Sequence, residues 1–402
     1  MQPLESKQIT ETERVGFSAV VRRELSRIFS RRVYILLTLI LPLVSFGIMA
    51  AIFASGTPRK LPIAVYDANN SALTHRLIRL FDANPALHVA YRVTDVAEGK
   101  QLILSGRCYA LVILKQDLER DLSRGQGAQV ISYYDNQLMT SGSIVSRAIR
   151  DTVKSVSSEL AQRSRVQRGE MTKAAQAHAE PIKVESRALF NPYLNYLYFL
   201  VGALMPTMLH IFVIIVTVYA VGIELKEGTA REWLRTAGGS PWLAVAGKLA
   251  PYTAGFLFVG LLMNTFLFLY LEVPLRGSVT LIAVATTLLI LAYQAIAVLI
   301  VALTSNLRMS LSAAAVYAAP AFAFAGITFP VMAMPLAGKL WAGILPISYY
   351  LIIFLDQGMR GAPVIVSLAP LAVMLGFVVI APLLAVPRLG KLMMDEQYWG
   401  RQ

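Results

Sequence analysis

Residues 281–303 read LIAVATTLLILAYQAIAVLIVAL, a run without one charged side chain. About 20 consecutive apolar residues carry a helix across the hydrocarbon core of a bilayer, and this stretch meets that length. Working outward, five more stretches pass the same test: Val33–Ala54, Leu197–Val221, Leu243–Leu271, Met309–Val331 and Val364–Leu384. The sequence therefore predicts an α-helical polytopic membrane protein with six transmembrane helices. The first stretch is too long, and follows too many polar residues, for a cleavable signal peptide, and reads as a signal anchor.

Composition agrees. The chain has 402 residues, 56% of them hydrophobic and 15% charged. Soluble domains average roughly 45–50% apolar and about 25% charged, so much of this surface is suited to lipid. A net charge of +13 would admit a nucleic-acid partner, but the basic residues sit where they orient membrane spans. Lys7, Arg14, Arg22, Arg23, Arg27, Arg31 and Arg32 precede the first span; Lys226, Arg231 and Arg235 follow the second. Arg308 follows the fourth, and Arg388, Lys391 and Arg401 follow the sixth. The short loops opposite carry only Arg276, Lys339 and Arg360. Positive residues stay inside, so both termini are expected in the cytoplasm: residues 1–32 as an N-terminal segment and 388–402 as a tail.

Residues 55–190 read as an extracytoplasmic domain inserted between spans 1 and 2. Strand-like runs at Leu61–Tyr66, Leu87–Val93, Tyr109–Ile113 and Val130–Tyr134 alternate with helical stretches, the pattern of a small α/β domain. Ser71–Phe81 places Leu73, Leu77, Leu80 and Phe81 on one helical face. A long polar helix is expected over about Ser141–Ala179, either packed on a partner or forming a solvated stalk. Asp67, Asp82 and Asp95 suit caps and turns. Ser141-Gly142-Ser143 has no matching histidine and acid. The four histidines His75, His88, His178 and His210 lack metal-ligand spacing, and the single cysteine, Cys108, makes no disulfide framework.

Two segments flank the membrane on the cytoplasmic side. In residues 17–31, Phe17, Val21, Leu25, Ile28 and Phe29 share one face, with Arg22, Arg23, Arg27 and Arg31 elsewhere. A basic amphipathic helix of this kind lies in the interface with its apolar face down; the alternative is a generic charged anchor. The loop after span 2 runs Glu224-Leu225-Lys226-Glu227-Gly228-Thr229-Ala230-Arg231-Glu232-Trp233-Leu234-Arg235. Thr229 and Glu232 have capping-box spacing for a short helix at 229–237. Gly238-Gly239 would end it, and Ser240-Pro241 would cap span 3. Trp233 and Leu234 are then available for contact.

These motifs, taken in order, resemble the ABC-2 family of exporter permeases, in the branch with a large extracytoplasmic domain after the first span. The family pattern E-(K/R)-E-x-G-T is matched by Glu224-Leu225-Lys226-Glu227-Gly228-Thr229, with Leu225 adding one residue between Glu224 and Lys226. Phe190-Asn191-Pro192 resembles an R-(F/Y)-N-P entry to span 2, although Ala188 and Leu189 occupy the arginine position and Arg187 lies nearby. Gly326-Ile327-Thr328-Phe329-Pro330, Met334-Pro335 and Leu345-Pro346-Ile347-Ser348-Tyr349 resemble the family run between the last two spans. The resemblance implies an ATPase-coupling helix with Glu224, Glu227, Gly228, Thr229, Arg231, Glu232 and Trp233. It implies a connecting helix bearing Phe17, Val21, Arg22, Leu25 and Ile28. Gly326, Phe329, Pro330, Pro335, Pro346 and Tyr349 would shape a re-entrant exit segment near 330–350.

The chain has no phosphate-binding loop: Gly247-Lys248-Leu249 lacks the glycine spacing and the hydroxyl. No cofactor or metal is expected here; ATP and magnesium would sit on a partner ATP-binding-cassette subunit. Other expected partners are a second copy or a paralogous permease, a periplasmic adaptor and the lipid bilayer, with no nucleic acid. The location is the inner membrane of a bacterial cell. Ionisable groups inside membranes are costly and mark pathways; here His210 is the main exception, and Asn264 and Gln294 are the clearest polar positions. His210 either lines a pathway or hydrogen-bonds a neighbouring helix. The apolar spans suit a hydrophobic or amphipathic substrate, such as a drug or lipid-like molecule. Alternative readings are an ion-coupled carrier or channel, and a sensor working through residues 55–190.

Overall fold

The computed structural model describes residues 15–54, 56–123, 128–137, 139–167, 189–191 and 194–400. The chain forms two compact units, residues 1–56 with 189–402, and residues 57–188. The first begins with helix α1 (Phe17–Ser30) and the membrane-length helix α2 (Arg32–Phe53).

The chain then builds the second unit in the order β1 (Leu61–Asp67), α3 (Ala72–Ala83), β2 (Leu87–Val93), α4 (Val96–Leu104), β3 (Ala110–Leu114), α5 (Leu118–Ser123), β4 (Val130–Tyr134) and α6 (Met139–Gln167). The sheet order is β2-β1-β3-β4. β1 runs parallel to β2 and β3, and β4 closes one edge antiparallel. All five residues of β3 are buried, as expected for a parallel strand covered on both faces.

Ser71 and Thr74 form a reciprocal capping box at the start of α3. Its buried face is Thr74, Leu77, Ile78 and Phe81, while Leu80 is exposed, so the expected stripe is rotated by part of a turn. Asp95 caps α4, and the Asp67 carboxylate accepts from the backbone of Asn69 and Asn70 in a turn. The polar helix α6 buries Val145, Ile149 and Val156. Arg76 of α3 pairs with Glu159 at 2.6 Å, so α6 packs on its own unit. The expected continuation of this helix to Ala179, and the motif positions Arg187, Ala188 and Pro192, lie outside the described residues.

The remaining helices return to the first unit: α7 (Leu197–Lys226), the short α8 (Ala230–Thr236), α9 (Pro241–Tyr270), α10 (Val279–Thr304), α11 (Leu307–Phe324), α12 (Leu336–Gly343), α13 (Pro346–Arg360) and α14 (Val364–Met394). Among the described residues, six helices, α2, α7, α9, α10, α11 and α14, are long and apolar enough to cross a membrane. With the sheet-bearing unit after the first of them, this is the predicted fold class. α10 is the central helix, packed against α7, α9, α11 and α14. Close approach uses small residues: a Cβ on Gly260 would lie 2.8 Å from Thr286, and one on Gly222 2.8 Å from Leu307. Small side chains let membrane helices approach closely, where packing drives association.

Three spans differ in length from the sequence expectation. α7 continues past Val221 to Lys226, and α14 continues past Leu384 to Met394 through Pro370, Pro382 and Pro387. Residues 388–394, expected in the tail, therefore continue the helix. α11 stops at Phe324 and not Val331, because the chain turns at Gly326 with φ +87°. Beyond it, where a re-entrant segment was expected near 330–350, α12 and α13 form a pair bent by 82° that runs on to Arg360.

Candidate functional site

The site begins where α7 ends. Gly228 takes φ +71° and reverses the chain, letting the Thr229 amide bond back to the Glu224 carbonyl at 2.9 Å. α8 follows for seven residues and ends at Gly238 and Gly239, with φ +70° and +81°. Ser240 accepts from the Leu243 amide, and Pro241 occupies the first turn of α9. The expected helix and its stop signals are present, but the capping box is not: Thr229 makes no side-chain cap. Its hydroxyl donates to the Glu224 carboxylate. Trp233 is not available for contact. It is fully buried, its indole N–H donates to the Ala244 carbonyl at 3.0 Å, and Lys248 lies 5.1 Å from its ring centre. Leu234 is buried as well.

Glu224 is the hub of a buried charge network. Its carboxylate accepts from Arg23 at 2.7 and 3.1 Å, from Lys248 at 2.8 Å, and from Arg27 and Thr229. Lys248 also donates to Glu24 at 2.6 Å, and Tyr252 donates to the same carboxylate at 2.7 Å. At the rim, Arg31 meets Glu227 at 2.7 Å and Arg23 reaches Glu232 at 3.4 Å. Glu24, Glu224, Glu227 and Glu232 balance Arg23, Arg27, Arg31 and Lys248 in charge. Burial works against the Arg23 cation, yet its bonds to Glu224 hold its pKa above the ordinary arginine value. Stripping ions of water costs several kcal/mol each unless partners replace it. The network supplies those partners and fixes α1, α7, α8 and α9 to one another.

Backbone shape permits this closeness. A Cβ on Gly247 would fall 2.8 Å from the Val20 Cβ and 3.1 Å from the Phe17 carbonyl oxygen, so glycine lets α1 lie directly on α9. α1 meets the bundle through Val20, Arg23, Glu24 and Arg27, with Val20 and Glu24 buried. The predicted apolar face points elsewhere. Phe17, Leu25 and Phe29 are exposed, Val21 and Ile28 are half-buried, and Arg22 is exposed. Arg231 turns to the C-terminal segment, pairing with Glu396 at 2.8 Å and lying 5.4 Å from the Trp399 ring centre. The exposed side chains on α8 are Glu232 and Arg235.

Sequence reasoning missed Glu24, Lys248, Tyr252 and the contacts of Arg231 with Glu396 and Trp399. It treated Lys248 as a decoy for a phosphate loop and the spans as nearly free of ionisable groups. The available signal was a lysine inside an apolar run, together with a lone glutamate in an otherwise basic helix.

The other predicted positions lie elsewhere in the unit. His210 lies against Tyr293 with ring centroids 4.4 Å apart and planes tilted by 31°, without a well-formed hydrogen bond to either ring nitrogen among the described residues. Asn264 donates to Thr286 at 3.0 Å, and Gln294 accepts from Thr253 at 2.8 Å. These three contacts are strung along α10 and form no cluster. At the bent pair, Pro335 precedes α12 and Pro346 opens α13. Tyr349 donates to the Gly343 carbonyl at 3.0 Å and Tyr317 to that of Ile344. Phe329 is exposed, and Pro330 leads into a single turn at Val331–Ala333.

Membrane-length helices around a central α10, with short helices clasped at one end, define a multi-pass membrane protein. The family model described as ABC-2 family transporter protein matches residues 32–386, and the chain belongs to that family. Among its relatives is the "Probable multidrug ABC transporter permease YbhR" of Escherichia coli strain K12. It is 24% identical over 312 residues, covering 78% of this chain and 81% of the relative. The same protein from Escherichia coli O157:H7 aligns to the same extent. The chain is thus a permease subunit of an ABC transporter, a transport component and not an enzyme, and its family implies an ATP-binding-cassette partner.

Proposed function

We propose that this chain is the membrane subunit of an exporter driven by ATP hydrolysis on a separate subunit. The observation that carries the reading is the Glu224 network. It ties α8 to α1, α7 and α9, so a push on α8 is delivered to two spans and to the N-terminal helix together. In this reading α8 is the coupling helix, and its exposed Glu232 and Arg235 meet the ATPase. α1 is the connecting helix, with Phe17, Leu25 and Phe29 turned to the inner lipid interface. The ATPase supplies ATP and magnesium, and its nucleotide cycle biases two conformations of the spans.

The pathway requires two copies or a paralogous pair. It delivers a hydrophobic or amphipathic substrate past the α12–α13 elbow. The relative's printed multidrug role fits spans with so little exposed charge. Both termini face the cytoplasm of a bacterial inner membrane; residues 55–190 face the periplasm, where an adaptor would dock.

The test is gentle purification of the native chain, of Glu232→Ala/Arg235→Ala and of Glu224→Ala, with mass spectrometry of what copurifies. An ATPase subunit held by the native chain and lost with the α8 double variant supports the reading. Its retention on all three would move the contact away from α8. Absence of any ATPase from the native sample would defeat the exporter reading itself.

A further inference from the structure

Between α9, α10 and α14 lies a groove of about 470 Å³. Its α9 wall is built from Ala246, Ala250 and Ala254, four residues apart, and its far walls include Leu291, Val298 and Pro382. The volume falls in the range of small-molecule sites, roughly 300–1,000 Å³. Ala246 and Ala254 on the rim are exposed, so the groove opens sideways into the zone a bilayer occupies.

One feature separates it from an ordinary lipid-facing crevice. Gln294 lines it, is only 2% exposed, accepts from Thr253 through Oε1, and leaves Nε2 without a hydrogen-bond partner. A buried amide N–H without an acceptor is costly, and an acceptor arriving in the groove would recover much of that cost. A second groove, about 500 Å³ between Leu43, Phe46, Gly47, Leu262 and Leu269, has no such atom among its described lining residues. It serves as the internal control.

Depth narrows the ligand. Roughly 15 Å of helix rise separates Gln294 from the end of α10 at Thr304, which is about half the ~30 Å hydrocarbon core. Phospholipid ester oxygens sit at the edge of that core, too far out to reach this amide. We infer that the groove is a binding site for a compact hydrophobic molecule carrying a hydrogen-bond acceptor such as a ketone, ester or ether oxygen. Such a molecule enters from the bilayer and is held by Gln294. The inference deepens the exporter reading and rests on it for the identification of this ligand class with the substrate.

Benzophenone tests it, being a compact aromatic ketone that crosslinks on irradiation. The full chain in vesicles of phosphatidylethanolamine and phosphatidylglycerol is irradiated with it, and labelled peptides are mapped by mass spectrometry. Labelling is expected on residues 245–257 and 291–298. Excess fluorenone should compete for it at least fivefold better than fluorene, which lacks the carbonyl. Gln294→Leu should cut this labelling about five- to tenfold while leaving the Leu43–Leu269 groove unchanged. Ala254→Phe, which fills the groove and keeps the amide, should abolish it. Correct folding of each variant is checked by its gel-filtration profile and thermal stability in detergent, set beside the native chain.

Equal labelling of both grooves, indifferent to Gln294→Leu, would mean simple partition into lipid and overturn the inference. So would capture of a photoreactive diacyl phospholipid at the same residues, equally in native and Gln294→Leu. Protection of the groove in the intact dimer, with labelling only after dissociation, would assign it to a second copy and overturn it too. An ATPase that copurifies beside an unlabelled groove leaves the exporter reading standing without this site. Labelling without any ATPase keeps the site and removes the exporter reading.

Discussion

Arg23 and Glu224 meet across 201 residues of sequence, and Lys248 and Glu24 across 224. At the α12–α13 elbow the comparable contacts are short-range: Tyr349 bonds a carbonyl six residues away and Tyr317 one 27 residues away. The first region is an ionic knot whose members are buried and directional. The second is a bend whose backbone is satisfied by tyrosine hydroxyls and packed by rings, with Tyr317 and Trp341 at 6.3 Å and Phe324 and Trp341 at 6.4 Å. A charge in low dielectric has few acceptable alternatives once its partner is gone, so the knot moves as one piece or fails. Aromatic packing is less directional, and neutral hydrogen bonds are worth less each. The elbow can therefore rearrange in small steps.

Glu224→Ala tests the knot hardest. It leaves Arg23, Arg27 and Lys248 short of a carboxylate in buried surroundings, a loss of about 3–5 kcal/mol when a buried pair is broken. The expected result is a steep fall in thermal stability in detergent, with α1 becoming accessible to protease near Arg27. Unchanged stability would mean that water reaches the network and that the contrast with the elbow is false.

Gly247→Val asks whether packing or charge holds α1. The new side chain would strike Val20 and the Phe17 carbonyl, and over-packing costs roughly 1–3 kcal/mol. Spin labels on α1 and α9 should report a longer distance between the helices, with the bundle otherwise intact. No change in distance would show that the ionic contacts alone set the position of α1. At the elbow, Tyr317→Phe removes one hydroxyl and should cost about 0.5–1.5 kcal/mol. Its larger effect should be on substrate leak through the resting transporter, measured in vesicles. A stability loss as large as that of Glu224→Ala would erase the difference between the two ends.

Much of this architecture was legible because membrane insertion leaves a strong mark. Length and apolarity placed all six spans, Gly238-Gly239 marked the end of α8, and Ser240-Pro241 marked the start of α9. Span ends were less legible. Glu224 and Lys226 looked like loop residues by polarity, although α7 carries both as helix because Glu224 is paired in the bundle. The side of α1 that meets the bundle was hidden for a related reason. Amphipathicity predicts that apolar residues face protein or lipid, whereas here charged residues face protein because their partners, Glu224 and Lys248, come from helices about 200 residues away. No local pattern encodes that pairing. Thr229 was assigned to a capping box for its spacing, and the carboxylate five residues before it took its hydroxyl instead.

The smallest expected effect separates the two glutamates of the motif. By spacing, Glu227 matches the family pattern and Glu224 is displaced by one residue; by structure, Glu224 is the hub and Glu227 stands at the rim. Glu227 is about one third exposed and its main partner Arg31 more so, so solvent screens the pair. Exposed pairs of this kind contribute about 0.2–1 kcal/mol. Glu227→Gln, Arg31→Gln and the double variant form a cycle that isolates the pair. The coupling energy should lie within that range and shrink as salt is raised from 0.05 to about 0.5 M, because screening shortens the reach of exposed charges. Glu224→Gln should respond far less to salt, since its partners are buried beside it. A large, salt-insensitive coupling at Glu227 would place the hub where the motif spacing puts it, and would make the buried knot a consequence of the rim contact instead of its support.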